Sequence, residues 1–284
     1  MIDSRCGLCC AGCSFRDSHG CGGCIETMGH PFHGACPIAL CCQEKHLAHC
    51  GECDGVPCDN LYAYCFSDKE HGDMGARILR CREEAAQGGH RAWENVLLTS
   101  AGFEDSEGRL KLGLVDRFVA MLAKPIGEAK ILFIPTAAID DESKMYADWC
   151  RAELLRIGAN EALIHTHELG ARLSESEAMD FDVIYFTGGC TNHLLSRLRE
   201  TGFDQVVKKM VFANKLYVGV SAGSLIAGVA VGGDRAALCF VHAYLGVHCA
   251  PDATPREDLP LPEILLTDDQ ALVVRWDGYE LVER

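Results

Sequence analysis

Positive charge is scarce in this chain: 26 Lys+Arg face 41 Asp+Glu, a formal net charge of −15 over 284 residues. Such a balance excludes a protein that wraps nucleic acid or adheres to anionic lipid by charge. Long apolar runs are missing too, and none approaches the roughly 18 residues that cross a bilayer. The first residues, Met1-Ile2-Asp3-Ser4-Arg5-Cys6, lack the charged-then-apolar order of an export signal. No nucleic-acid partner and no membrane partner are expected, and the cytoplasm is the expected compartment. Neither a Gly-x-Gly-x-x-Gly stretch nor a phosphate loop occurs, which leaves no nucleotide-binding motif. Aromatics make up only 7% of residues, yet 48% are apolar, enough for a sizeable core. At about 150 residues per domain the length accommodates two domains.

Cysteine marks the organisation. Of 18 cysteines, 14 fall between Cys6 and Cys81, and only Cys150, Cys190, Cys239 and Cys249 follow. Ala85-Ala86-Gln87-Gly88-Gly89-His90-Arg91 is a polar, glycine-containing stretch between the last clustered cysteine and the first buried-looking strand. The boundary is set near residue 92, giving a cysteine-rich domain over 1–92 and a second domain over 93–284.

Beyond residue 95 short apolar runs alternate with helical periodicity. Val96-Leu97-Leu98, Ile131 to Ile134, Ala162-Leu163-Ile164, Val183 to Phe186 and Leu216 to Val220 predict strands buried on both faces. Leu112, Val115, Phe118, Val119 and Leu122 predict one apolar helix face; Tyr146, Cys150, Leu154 and Ile157 predict another, stopped by Gly158. Strand and helix in alternation imply an α/β fold, a mostly parallel sheet with helices on both sides. Ala271 to Arg275 and Tyr279 to Val282 flank Asp277-Gly278, a hairpin signal that suggests an antiparallel appendage. Edge strands and this hairpin are where a homodimer is expected.

In the first domain the spacings are Cys6-x3-Cys10-x2-Cys13, Cys21-x2-Cys24, Cys36-x4-Cys41-Cys42 and Cys50-x2-Cys53-x4-Cys58. Thiolates two residues apart on a tight turn can both reach one tetrahedral ion at about 2.3 Å. These eleven cysteines are the expected metal ligands, with zinc first and an iron–sulfur cluster as the alternative. A disulfide framework is the competing account, disfavoured in a reducing compartment. The order Cys6-Gly7-Leu8, Cys-x2-Cys, then Cys50-Gly51-Glu52-Cys53 to Leu61 resembles a bacterial cysteine-rich domain family supposed to bind zinc. That resemblance covers about residues 5 to 84 and implies a small metal-bearing module whose ion is structural.

The richest stretch is Leu216-Tyr217-Val218-Gly219-Val220-Ser221-Ala222-Gly223-Ser224, a buried strand running into small residues and a helix start. Gly-x-Ser-x-Gly at such a turn has the form of a nucleophile elbow, which lifts a serine hydroxyl above the strand's carboxyl end. The amide of Ala222 would then donate to a developing oxyanion, helped by the helix macrodipole. A serine needs a base, and downstream the histidines are His242 and His248; spacing leaves both open. Thr187-Gly188-Gly189-Cys190, at the end of a strand, supplies further amides at the same sheet edge.

Phe133 to Ala138, Asp182 to Gly189 with Asn192 and Leu194-Leu195, Gly219 to Ser224, and Tyr244 to His248 together resemble the dipeptidase E (alpha-aspartyl dipeptidase) and cyanophycinase family of serine peptidases. The resemblance runs over about residues 95 to 284. It implies a class I glutamine-amidotransferase-like three-layer sandwich in which serine replaces cysteine. By motif it implies Ser221 as nucleophile, His248 as base, and Gly189 with Ala222 as oxyanion donors. It also implies an acid in the loop between serine and histidine, where Asp234 is the only one. The expected activity is cleavage of small peptides, aspartyl dipeptides among them, through an acyl-enzyme with no cofactor for catalysis. Val247 stands where the family often has proline, and Cys190 where a third glycine is common. The alternative is a catalytically silent amidotransferase-like domain whose metal-bearing module senses or binds. An ordinary α/β-hydrolase fits less well, with too little chain after Ser221 and no His-Gly-Gly-Gly stretch.

Overall fold

The computed structural model describes residues 4–53, 56–67, 72–87, 94–171, 173–232, 235–259, 261–275 and 278–283. The chain divides into two compact units, Met1–Ala92 and Trp93–Arg284.

The first unit is built from short helices: α1 (Phe15–Ser18), α2 (Gly23–Glu26), α3 (Pro37–Glu44), α4 (Asp59–Tyr62) and α5 (Ala76–Gln87). Pro37 opens α3, where its missing N–H costs nothing. Apolar side chains are few, so Ile38, Leu61 and Ile78 share the interior with thiols, among them Cys42, Cys65 and Cys81.

The second unit carries a sheet of β1 (Val96–Thr99), β2 (Ile131–Ile134), β3 (Ile164–Thr166), β4 (Val183–Phe186), β5 (Leu216–Val220), β10 (Gln270–Arg275) and β11 (Gly278–Glu283) in the order β11-β10-β1-β5-β4-β2-β3. The five strands β1 to β5 run parallel, and β10 and β11 are antiparallel. Every residue of β1, β2, β4 and β5 is buried, which accounts for their continuous apolar sequence. Helices α6 (Leu112–Ala120) and α7 (Asp141–Ile157) cover one face, meeting Leu97, Phe133, Tyr185 and Val218. On the opposite face lie α9 (Thr191–Thr201), α10 (Phe203–Phe212) and the single turn α11 (Ala222–Leu225), with short α8 (Glu175–Met179) before β4. The fold is therefore α/β with a mostly parallel sheet. Two further pairs complete it: β6 (Ala230–Val231) with β7 (Arg235–Ala236), and β8 (Tyr244–Gly246) with β9 (Glu263–Leu265), the latter parallel.

Several details depart from the sequence reading. Ala162 and Leu163 lie in a 3-10 turn, and the third strand starts at Ile164. On α6 the buried residues are Leu114 and Phe118, while Leu112 and Val119 are exposed, so the apolar stripe is rotated from the expected one. Tyr146 on α7 is exposed as well, whereas Cys150 and Leu154 are buried. The C-terminal hairpin is no appendage: β10 pairs with β1, which makes it part of the main sheet. Gly158 does end α7, in the left-handed conformation at φ 109°.

Candidate functional site

Ser221 follows β5 with φ 49° and ψ −106°, a left-handed conformation that costs a non-glycine residue energy and must be held from outside. The clamps are local. The Ser221 amide donates to Thr99 O at 3.0 Å, and Tyr217 Oη donates to Gly223 O at 2.6 Å. Ser224 Oγ, fully buried, lies 2.7 Å from Thr99 O and 2.8 Å from Gly219 O. Gly223 has no alternative residue type, because a Cβ there would sit 2.6 Å from Phe186 O. The following helix is one turn long, Ala222–Leu225, so it brings free amides rather than the sizeable macrodipole expected from sequence.

The two histidines left open by sequence are separated by the structure: His248 Nε2 lies 3.0 Å from Ser221 Oγ. His248 Nδ1 lies 2.7 Å from Asp268 Oδ1. A carboxylate only accepts, so the Nδ1 proton points to Asp268 and Nε2 is left to accept from the serine hydroxyl. An imidazole in that tautomer can take the proton of an attacking alcohol, and its partner carboxylate stabilises the imidazolium that forms. Ser221 is partly exposed, and the His248 and Asp268 side chains are 50% and 61% exposed.

Asp268 was missed by sequence reasoning, which looked for the acid between serine and histidine. Asp234, the residue expected there, lies outside the described residues. The signal for Asp268 is its place in Thr267-Asp268-Asp269, immediately before the buried run Ala271 to Val274. Strand pairing delivers it. Gly246 is registered with Leu265 in the parallel pair β8–β9, so the residues just past the two strand ends, His248 and Asp268, emerge side by side.

Gly189 has φ 132°, and a Cβ on it would fall 2.2 Å from Ala137 O. Its neighbour Gly188 abuts the nucleophile turn, with the position of its absent Cβ 3.2 Å from Ser221 Cβ. Among the described residues neither the Gly189 nor the Ala222 amide donates to a protein acceptor, which leaves both for a ligand oxygen. The Cys190 amide is already used, donating to Ala137 O at 2.7 Å.

The cysteines of the first unit lie mostly in its interior. None of the 18 cysteines of the chain is in a disulfide. Cys6, Cys10, Cys24, Cys36, Cys42 and Cys50 are buried, and Cys13, Cys21, Cys41, Cys53 and Cys58 half-buried. Cys42 and Cys50 Sγ are 3.7 Å apart, about the edge of a tetrahedron with the ~2.3 Å arms of zinc–thiolate. Cys41, Cys42, Cys50, Cys53 and Cys58 line a small, partly open cavity of about 20 Å³ with Lys45, whose Nζ lies 3.5 Å from Cys53 Sγ. Among the described residues, however, no three His, Cys, Asp or Glu side chains are arranged around one ion. The pair fits two corners of a zinc site and the described side chains supply no third.

A parallel-sheet α/β unit with a serine at a strand-to-helix kink, a histidine on that serine and a carboxylate on the histidine is the architecture of a peptidase-like hydrolase domain. The sequence model of peptidase family S51 matches residues 96–237, half of the chain, and the chain belongs to that family. An uncharacterized peptidase of Listeria monocytogenes is 38% identical over 98 residues, 34% of this chain and 47% of the relative. Peptidase E of Shewanella amazonensis is 37% identical over 101 residues, 35% of this chain and 41% of its own length. The chain thus spans about half the length of the curated relatives it matches. A solved structure described as a candidate peptidase E protein from Listeria monocytogenes EGD-e superposes with a TM-score of 0.53 at 23% identity, covering 68% of this chain and 99% of that one. That likeness bears on the fold. No helix among the described residues is long and apolar enough to cross a membrane.

Proposed function

We propose that this chain is a serine hydrolase of the dipeptidase E type, cleaving small peptides through an acyl-enzyme on an amidotransferase-like sandwich. Ser221 Oγ attacks the amide carbonyl while His248 Nε2 takes its proton and then gives it to the leaving amine. Water, activated by the same nitrogen, releases the acid. Asp268 accepts from His248 Nδ1, and the amides of Gly189 and Ala222 receive the tetrahedral oxyanion. These steps use side chains and amides alone.

The observation that carries the reading is the 3.0 Å approach of His248 Nε2 to an accessible hydroxyl held at φ 49°. Backbone strain collects at positions where a side chain is held out for chemistry, and the adjacent imidazole supplies the activation a serine nucleophile needs. Aspartyl dipeptides are the first substrates to try, on the family resemblance. Wild type should hydrolyse members of an aspartyl dipeptide panel and react with a fluorophosphonate, whereas Ser221→Ala should do neither. Equal rates for the two proteins would end this reading. The silent alternative is not favoured, since family membership and the Ser221–His248–Asp268 geometry point the same way.

For the first unit we propose structural zinc, supported by the cysteine spacing, the Cys42–Cys50 separation and the shared thiol-lined cavity. Elemental analysis and a visible spectrum test it, with iron and a brown colour pointing to a cluster instead. A cytoplasmic location goes with this reading, since a reducing compartment keeps cysteines available as zinc ligands, and cell fractionation tests it. A homodimer is supported by the edge strand β11, which exposes Tyr279 and Leu281, and light scattering tests it.

A further inference from the structure

Ser100 is the first residue past β1, and the sheet makes that position a junction. Thr99 is registered with Val220, the residue before Ser221, on one side and with Ala271 of β10 on the other. Ser100 therefore emerges between the serine and the carboxylate of the candidate site. It is fully buried, although the two side chains it serves are half or more exposed.

Its hydroxyl has a defined role. The His248 amide donates to Ser100 Oγ at 2.6 Å, so the single hydroxyl proton is free to point elsewhere. Asp268 Oδ1, an acceptor only, lies 2.9 Å away and takes it. The distance from Ser100 Oγ to His248 Nδ1 is longer, 3.5 Å, and the Nδ1 proton already has Asp268 at 2.7 Å. One buried hydroxyl thus accepts from the backbone of the base and donates to the carboxylate that orients it. The backbone tie matters because His248 sits at φ 56°, a left-handed conformation a non-glycine residue leaves readily when untethered. The carboxylate tie matters because an exposed aspartate would otherwise divide its time among rotamers and water. A second tether comes from the same connection: Lys111 Nζ, on a side chain 1% exposed, donates to the main-chain oxygen of Asp268 at 2.6 Å.

We infer that Ser100 is a positioning residue that fixes His248 and Asp268 together in the orientation that serves Ser221. This rests on the serine-hydrolase reading above, and the experiment separates the two. Wild type, Ser100→Ala, Asp268→Ala and the double variant are compared for phosphonylation by a fluorophosphonate, in which Ser221 Oγ displaces fluoride at phosphorus and its proton passes to His248. They are also compared for kcat and KM on whichever dipeptide wild type cleaves. Displacement of a base by about 1 Å costs up to about 100-fold in rate. Ser100→Ala should lower kcat and the labelling rate about 10- to 100-fold with KM unchanged. In the Asp268→Ala background the same substitution should cost distinctly less, because the tie to the carboxylate is already gone and only the tie to the His248 amide is left to lose.

Wild-type labelling rates in Ser100→Ala would overturn the inference. So would an equal loss in both backgrounds, which is what a merely structural serine would give. If Ser100→Ala does not fold, Ser100→Thr and Ser100→Val carry the comparison, being alike in shape and different in the hydroxyl. Threonine faster than valine supports the role, and equal rates reject it. Wild type that never labels ends the hydrolase reading itself; labelled wild type with an equally fast Ser100→Ala ends only this inference.

Discussion

His248 Nδ1 and Asp268 Oδ1 stand 2.7 Å apart although twenty positions separate the two residues in the chain, brought together by the parallel pairing of β8 and β9. The order along the chain is serine, histidine, acid, a different order from the serine, acid, histidine of α/β-hydrolases. With both side chains half or more exposed, the pair adds little to stability, and the use proposed for it is orientation of the ring.

Asp268→Asn therefore keeps the fold and disfavours the tautomer that leaves Nε2 free. Hydrolysis should fall about 10³- to 10⁴-fold, with unfolding midpoints unchanged. Asp234→Asn should leave kcat at the wild-type value, since the Nδ1 position is already taken. Steady-state kinetics on the two variants decides between the acids.

Gly189→Ala should be severe for a different reason. Its φ of 132° is closed to alanine, and the new methyl carbon would meet Ala137 O at 2.2 Å. The loop must shift, costing about 1 to 3 kcal/mol and moving an amide proposed to meet the oxyanion. Thermal unfolding reads the first effect and the fluorophosphonate rate the second.

Tyr217→Phe tests the clamp on the serine turn. The buried Tyr217 hydroxyl donates to Gly223 O, and removing it leaves that carbonyl without its partner. A loss of about 1 to 2 kcal/mol in urea unfolding is expected, together with slower labelling of Ser221. Unchanged stability would show that the turn is held without it.

Glu153 gives the unit a pH dependence of its own. Burial pushes its carboxyl up to about 7, against the amides of Phe103 and Glu104 and the nearby Lys111, which favour the ionised form. A carboxyl raised from its ordinary 4.5 holds its proton more tightly folded than unfolded. Its stabilising contribution is complete below pH about 4.5 and is lost as pH rises through about 7. Between pH 5 and 8 wild type should lose up to about 3 kcal/mol relative to Glu153→Gln. Parallel pH profiles of urea unfolding for the two proteins would refute the assignment.

Much of the second unit is legible in the residues. Buried parallel strands need apolar side chains on both faces, so Ile131 to Ile134 and Val183 to Phe186 declare themselves. The serine turn is equally plain, because Gly223 meets a steric demand no other residue can meet. Helix faces were less legible: α6 has apolar residues nearly all round, and only packing against β11 and the core selects Leu114 and Phe118 over Leu112 and Val119. In the first unit the cysteine count announces thiol chemistry, but how many side chains converge on a point depends on where short helices and turns set them.

Local rules thus wrote the alternation of strands and helices and the kink that carries Ser221, since each depends on side chains a few positions apart. Asp268 and Ser100 came from the fold. Their place beside His248 follows from which strands neighbour which in the sheet, and strand order is settled by the burial of the whole core rather than by any spacing along the chain.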